Sequence, residues 1–212
     1  MGKKFKFVLI ALFGLIVSST IFAEELSMDV VCKKLAEHSN TTGDFIQTKL
    51  IKSANRTLKS NGVYIFSLEG IMWKTLKPFP STLAVGETFV IQTAANGTKT
   101  VIDASDNQIF LSIAQTLSAV FSNNSEKLNS NFITTFTPKG NGGWEMKLVP
   151  KDSTVASVLK SLTLIGTYSQ SVCAIDEIVM TESSDNSITY SFTNQKYPKE
   201  LTADEKANFI FK

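Results

Sequence analysis

The chain has 212 residues but a single histidine, a single arginine, two cysteines and five prolines. Each shortage removes a class of function. With His38 as the only imidazole, and neither a metal-spaced cysteine pair nor a carboxylate cluster beside it, a zinc site lacks its ligands. A nucleophile–histidine–acid triad would have to use His38, and no G-x-S-x-G turn is present to carry the nucleophile. His38 is expected at a helix C-terminus, solvated and favoured there by the helix dipole. Asp176 and Glu177 are adjacent on an expected strand, so they point to opposite faces and cannot act as a close pair. The glycines form neither G-x-G-x-x-G nor a phosphate loop, and the GNGG run at 140–143 reads as a hairpin turn. No enzyme activity, metal or cofactor is expected.

Arginine is the usual reader of phosphates and bases, and only Arg56 is available, among scattered lysines. Nucleic acid is therefore not an expected partner.

The N-terminus reads as an export signal. Lys3, Lys4 and Lys6 make a positive start, residues 8–22 an apolar run, and Ala23 a small residue suited to cleavage. The run is short for a membrane anchor and is weakened by Ser18, Ser19 and Thr20. Residues 1–23 are thus expected to be removed, leaving 24–212 as one exported domain. Loss of those three lysines moves the formal charge from +2 to −1. Cys32 and Cys173 remain, and an even count in an oxidising compartment suggests a disulfide. Closing so long a loop is worth about 5 kcal/mol in the chain-entropy model. The alternative is a pair of buried, unpaired thiols.

What is abundant is apolar surface, including fifteen phenylalanines. It concentrates in residues 62–92, GVYIFSLEGIMWKTLKPFPSTLAVGETFVIQ. Val63/Ile65 and Tyr64/Phe66 fill both alternations of one strand, and Ile71, Met72 and Trp73 make the next apolar throughout. A sheet that is apolar on both faces needs cover on both.

Two covers are legible. Ser27 can cap a helix over 28–38 with Val31 and Leu35 as its buried stripe. A second helix is expected over 108–122, where Ile109, Ile113, Leu117, Val120 and Phe121 recur at steps of three and four. The polar run 122–131 reads as a mobile connection. Elsewhere, strand patterns recur from 44 onwards, with turns at Asn61-Gly62, Gly86-Glu87, Asn96-Gly97 and residues 184–186, a short helical turn at 201–206 and a last strand at 207–211. The count is ten or eleven antiparallel strands and two helices of real length. Such a count rolls into a barrel or half-barrel to limit its open edges. The expected fold is α+β, an unclosed antiparallel β-barrel with helices covering an apolar cavity. Tyr64, Phe66, Met72, Trp73, Phe79, Leu83 and Phe89 on the sheet, with Ile113, Leu117 and Phe121 on the lid helix, are the candidate cavity residues.

A family comes into view from the order of short motifs: leader, short helix, Phe45-Ile46-Gln47, Gly62 before an aromatic strand, then Trp73 followed by Lys77-Pro78. Leu148-Val149-Pro150, I-x-x-I-x-M-x-E at 175–182 and S-F-T-N at 191–194 complete it. The chain resembles the LolA-like periplasmic outer-membrane lipoprotein carriers over almost all of its mature length. The resemblance implies a half-barrel with a helical lid, a periplasmic monomer, and acyl chains of lipoproteins or another lipid as ligand. It also implies an inner-membrane transporter as donor and an outer-membrane acceptor. In one respect the chain departs from that pattern. The carriers have an Arg-Pro before the Trp, the Arg tying lid to barrel, whereas this chain has Ser67-Leu68-Glu69. Relatives on this scaffold carry other lipids or glycolipids, or sense lipoproteins as regulators, and the second reading is a regulatory or structural module whose groove binds a protein partner instead of acyl chains. An exported hydrolase is the third, and it would depend on His38.

Overall fold

In the computed structural model, residues 25–86, 89–103 and 108–210 are described. The expected export signal at 1–23 lies outside them, as do Glu87 of the expected Gly86-Glu87 turn and Phe211 of the expected last strand.

Eleven strands form one antiparallel sheet: β1 (Asn40–Ile51), β2 (Arg56–Ser67), β3 (Gly70–Lys77), β4 (Ser81–Val85), β5 (Phe89–Ala94), β6 (Lys99–Asp103), β7 (Phe132–Pro138), β8 (Gly143–Pro150), β9 (Leu159–Tyr168), β10 (Cys173–Glu182) and β11 (Ser187–Lys196). Their order is β6-β5-β4-β3-β2-β1-β11-β10-β9-β8-β7, so β6 and β7 are free edges and the barrel is not closed. The chain therefore runs outward from β1 to one edge, crosses the opening, and returns from the other edge to pair β11 with β1.

That crossing carries the helices α2 (Gln108–Phe121) and α3 (Ser125–Asn131), while α1 (Met28–Leu35) precedes the sheet. Ser27 caps α1 as its sequence suggests, its Oγ accepting from the Val30 N–H at 3.3 Å. Asn124 caps α3 in the same way, through the Lys127 N–H at 2.9 Å. The run expected to be a mobile connection is thus mostly helical. Its polarity hid it, since Leu128 is its one buried side chain.

The sheet's pleat divides the apolar stretch cleanly. Register joins Tyr64, Trp73 and Leu83 across β2, β3 and β4, and Phe66, Ile71, Val85 and Val90 across β2 to β5. These side chains face inward, where they meet α1, α2 and the inner residues Trp144, Met146, Leu148, Leu162 and Leu164 of the other half-sheet in one core cluster. The alternate positions Ile65, Met72, Ala84 and Ile91 face outward and form a second cluster.

Both faces are therefore covered, as two apolar faces require. The outer cover is the C-terminal segment, which contributes Leu201 and Phe209. Its short helix α4 (Ala203–Lys206) is closed by a capping box: Thr202 Oγ1 accepts from the Glu205 N–H while the Glu205 carboxylate accepts from the Thr202 N–H. Residues Ala207–Phe209 form a 3-10 turn in place of the expected last strand. Lys99 Nζ on β6 donates to the Ile210 carbonyl at 3.0 Å, tying that segment to the sheet edge.

Asn61-Gly62 is not a turn. β2 runs straight through it, with an irregular register against β3. Glycine is required there because a Cβ would lie 1.9 Å from the Lys74 carbonyl oxygen. Asn96-Gly97 does turn, with Gly97 at φ +83°.

Candidate apolar site beneath the lid helix

The inner face of β2 to β4 and the underside of α2 meet along an aromatic seam. Tyr64 stands 4.6 Å from Phe66 and 4.5 Å from Phe192, measured between ring centroids. Phe66 touches Phe121 of α2 at 5.7 Å, and Trp73 lies 5.6 Å from Tyr190. Leu117 of α2 is completely buried in this cluster, with Val120 and Ala114 beside it. Tyr64, Phe66, Trp73, Leu83, Leu117 and Phe121 are thus brought together, Leu83 and Phe121 half-buried at its margin.

The other expected residues are not part of this seam. Met72 and Phe89 point to the outer face, where they join the cluster covered by Leu201 and Phe209. An uninterrupted apolar run hides which parity points inward, and the pleat assigns it to Trp73. Phe79 is 82% exposed on the loop between β3 and β4, flanked by Pro78 and Pro80. The side chain of Ile113 lies outside the described residues.

Sequence reasoning missed the far wall of the site. Phe45, Tyr190 and Phe192 come from β1 and β11, strands whose inner positions are legible only once Phe45 is seen to pair with Phe192 and Gln47 with Tyr190. The alternation of Trp144, Met146 and Leu148 was a usable signal for the rest of that wall.

The seam is filled rather than hollow. A cavity of about 30 Å³ remains where α2 crosses the β2–β3 turn, between Ser67, Leu68 and Glu69 on one side and Ala114, Ser118 and Phe121 on the other. A second, of about 10 Å³, lies between Phe66, Phe121, His38 and Cys173. Neither admits more than a water or two.

The contact between α2 and the sheet is also dry of polar ties. Among the described residues, no hydrogen bond joins α2 to a strand; Thr116 Oγ1 donates back to the Ser112 carbonyl of its own helix at 2.7 Å. Leu68 sits at the mouth, 71% exposed, within the Ser67-Leu68-Glu69 stretch that stands where the resemblance would place Arg-Pro.

Several buried polar atoms of the interior find no partner among the described residues: Tyr64 Oη, Trp73 Nε1, Trp144 Nε1, Thr134 Oγ1 and His38 Nε2. His38 is half-buried where a solvated ring was expected. Its ring stacks on Tyr197 at 4.0 Å, and the loss of water pushes its pKa below the ordinary value, against a smaller upward pull from Glu37. No group of three or more His, Cys, Asp or Glu able to hold a metal ion occurs among the described residues.

Cys32 and Cys173 are free thiols, both fully buried in the inner cluster. Burial pushes each up to about 12, with Asp29 adding to it at Cys32. The Trp144 indole beside Cys173 offsets part of the shift there, although its N–H falls outside hydrogen-bond geometry.

No family model and no curated protein matches the sequence. Solved structures do match the fold. A DUF1329 family protein from Desulfovibrio piger is 7% identical at a TM-score of 0.50, over 82% of this chain and 92% of that one. An outer membrane lipoprotein-sorting protein domain from Vibrio parahaemolyticus is 8% identical at 0.47, over 86% and 98%. A LolA superfamily protein from Nitrosomonas europaea is 8% identical at 0.46, over 84% and 96%. At such identities the likeness is one of fold alone.

Proposed function

We propose that this chain is an exported, monomeric carrier that shields the acyl chains of a lipoprotein or another lipid between the inner face of its sheet and α2. In this reading the leader at 1–23 delivers it to the periplasm, where it moves its cargo from an inner-membrane donor to an outer-membrane acceptor.

The observation that carries the reading is the manner in which the lid is held. Apolar surface is worth about 25 cal/mol per Å² whatever covers it. A lid packed on rings through apolar side chains such as Leu117, Val120 and Phe121, with no hydrogen bond to a strand among the described residues, can therefore be exchanged for an alkyl chain at little net cost. A lid pinned by hydrogen bonds would strand unpaired groups on opening. Each methylene taken up contributes about 0.8 kcal/mol, and no covalent bond forms or breaks in the cycle. Cargo leaves because the acceptor holds it better.

The test is uptake. The purified protein is expected to carry extractable lipid detectable by mass spectrometry, and to take up a fluorescent acylated peptide after delipidation. Joining Leu68→Cys to Gln115→Cys with a cleavable bismaleimide should block uptake, and cleavage should restore it. The native thiols, buried and with pKa near 12, would not compete for the reagent. Absence of lipid together with absence of uptake would remove the carrier reading.

One observation favours the alternative, a regulatory or structural module whose groove binds a protein partner. Two roomy concavities are on the outside, one of about 690 Å³ between β1–β3 and the C-terminal segment and another of about 600 Å³ between α1 and residues 123–125. A stoichiometric protein complex unaffected by saturating acyl peptide would select that reading instead.

A further inference from the structure

The two free edges of the sheet are guarded differently. On β6, Lys99 Nζ donates to the Ala207 and Ile210 carbonyls and so draws the C-terminal segment beside that strand. On β7, no strand among the described residues pairs with the outer side, and α3 holds its start, where the Phe132 N–H donates to the Leu128 carbonyl. Sheet edges are usually blunted by charge, bulges or proline. The run Phe132-Ile133-Thr134-Thr135-Phe136-Thr137 has no charge and no break in register against β8, and Pro138 comes at its end. Every residue of that run is β-branched or aromatic, the types that fit a strand best.

The ladder shows which backbone groups are free. The Lys151 N–H donates to the Asn131 carbonyl and the Lys139 N–H to the Gly143 carbonyl, in the register of the strand pair between them. Bonded and non-bonded pairs alternate along an antiparallel ladder, so Ile133, Thr135 and Thr137 are the residues bonded to β8. Thr134 and Phe136 therefore aim both N–H and C=O away from the sheet, and Phe132 its C=O. Pro138, which has no N–H to leave unpaired, falls in the same outward set.

Charge indicates what the edge fits. Residues 132–151 carry +2, against −1 for residues 24–212. Glu145, the one acid of that hairpin, is engaged by Lys139 at 3.2 Å. Lys147, exposed and the register partner of Thr135, takes part in no ion pair among the described residues. Ile133 is 59% exposed on the same outer face.

We propose that the β7 edge is a docking site for an extended segment of a protein partner, added antiparallel as a further strand. The segment it fits has apolar side chains opposite Ile133, Thr134 and Phe136 and a carboxylate opposite Thr135. Strands lie about 4.8 Å apart, so that carboxylate meets the long Lys147 side chain across Thr135. A second copy of this chain fits less well, because β7 is itself uncharged and brings no acid to Lys147. The inference goes beyond the carrier reading and does not rest on it, since nothing in it involves the inner face.

The experiment titrates the full mature chain with a fluorescent peptide, Thr-Val-Glu-Val-Ile-Val, following anisotropy and amide exchange. In the free protein the amides of Thr134 and Phe136 should exchange fast and those of Ile133, Thr135 and Thr137 slowly; the peptide should protect the first two. N-methylation of the two valines flanking the glutamate should weaken binding about tenfold or more, through lost backbone bonds. Thr134→Pro should do the same while leaving the fold intact, because the N–H it removes faces outward. Replacing the peptide's glutamate by lysine should cost about threefold, and Lys147→Glu should reverse that preference. Absence of binding, binding indifferent to N-methylation, or slow exchange of Thr134 and Phe136 in the free protein overturns the inference. So does a dimer of the chain that Thr134→Pro returns to monomer, which would assign the edge to a second copy. If Thr134→Pro fails to fold, the N-methylated peptide and the exchange pattern decide alone. Lipid uptake, measured in parallel, should be unchanged by Lys147→Glu, so the carrier reading stands or falls separately.

Discussion

Trp144 packs directly against Gly166, its register partner on the next strand: a Cβ built at Gly166 would lie 2.3 Å from Cζ2 of the indole and 2.1 Å from the Ala174 carbonyl oxygen. The glycine's missing side chain is the space the indole occupies. Because the obstruction includes backbone, Gly166→Ala is expected to cost about 3 kcal/mol, read as a lower urea midpoint at unchanged slope.

Leu117 fills the centre of the lid contact with no exposed surface. Leu117→Ala should lower global stability by about 3 kcal/mol through lost transfer energy and the void left behind. Leu117→Asp should go further and abolish uptake of acylated peptide, because a carboxylate would be stripped of water against Phe66 and its neighbours. Undiminished uptake by Leu117→Asp would show that α2 is not the lid.

Phe79 provides the contrast. At 82% exposure it buries almost nothing. Phe79→Ser should leave stability within about 0.5 kcal/mol of wild type and acyl uptake unchanged.

The pH dependence of stability should show two separate windows. His38 has its folded pKa below the ordinary 6.5, chiefly through desolvation, so the folded state prefers the neutral ring. Its contribution is complete above pH 6.5 and is lost as pH falls through the lowered folded value. Glu182, lowered first by the Asn186 hydrogen bond and then by Lys49, behaves alike but in a more acidic range, below its ordinary 4.5. His38→Phe, which keeps a ring on Tyr197, should flatten the melting temperature between pH 7.5 and 5.5 while leaving the decline below pH 4.5.

The two thiols answer directly to a reagent. In the native protein at pH 8, Cys32 and Cys173 should be silent to a thiol-exchange dye, and unfolding in urea without reductant should release both. Release only after reduction would restore the disulfide expected from export.

Much of this architecture was legible in the chain. The 3.6-residue period of Leu117, Val120 and Phe121 and the capping Ser27 located both helices of the inner cover, and alternation located most strands. Three features escaped for separate physical reasons. Ile71, Met72 and Trp73 carry no polar residue to mark a wet side, so parity had to come from pairing with Tyr64 and Leu83. Gly62 looked like half of a turn signal, yet its smallness serves the close passage of Lys74. The outer cover joins Leu201 and Phe209 to Ile65 and Met72, contacts between distant parts of the chain that no local pattern encodes. The unpartnered Tyr64 and Trp73 were named as apolar residues; that they are orphaned donors is a property of their surroundings.

The lid segment leaves from one rim of the open sheet, β6, and rejoins at the other, β7. A flap fixed along a single side swings like a door, but one stitched to both rims moves like the handle of a basket. It can lift or slide without ever clearing the opening. In the carrier reading proposed above, cargo would thread in from the flanks under the handle, tails first, with a bulky polar head outside throughout. Such a geometry places no limit on the size of what the tails are attached to, only on the width of what passes beneath.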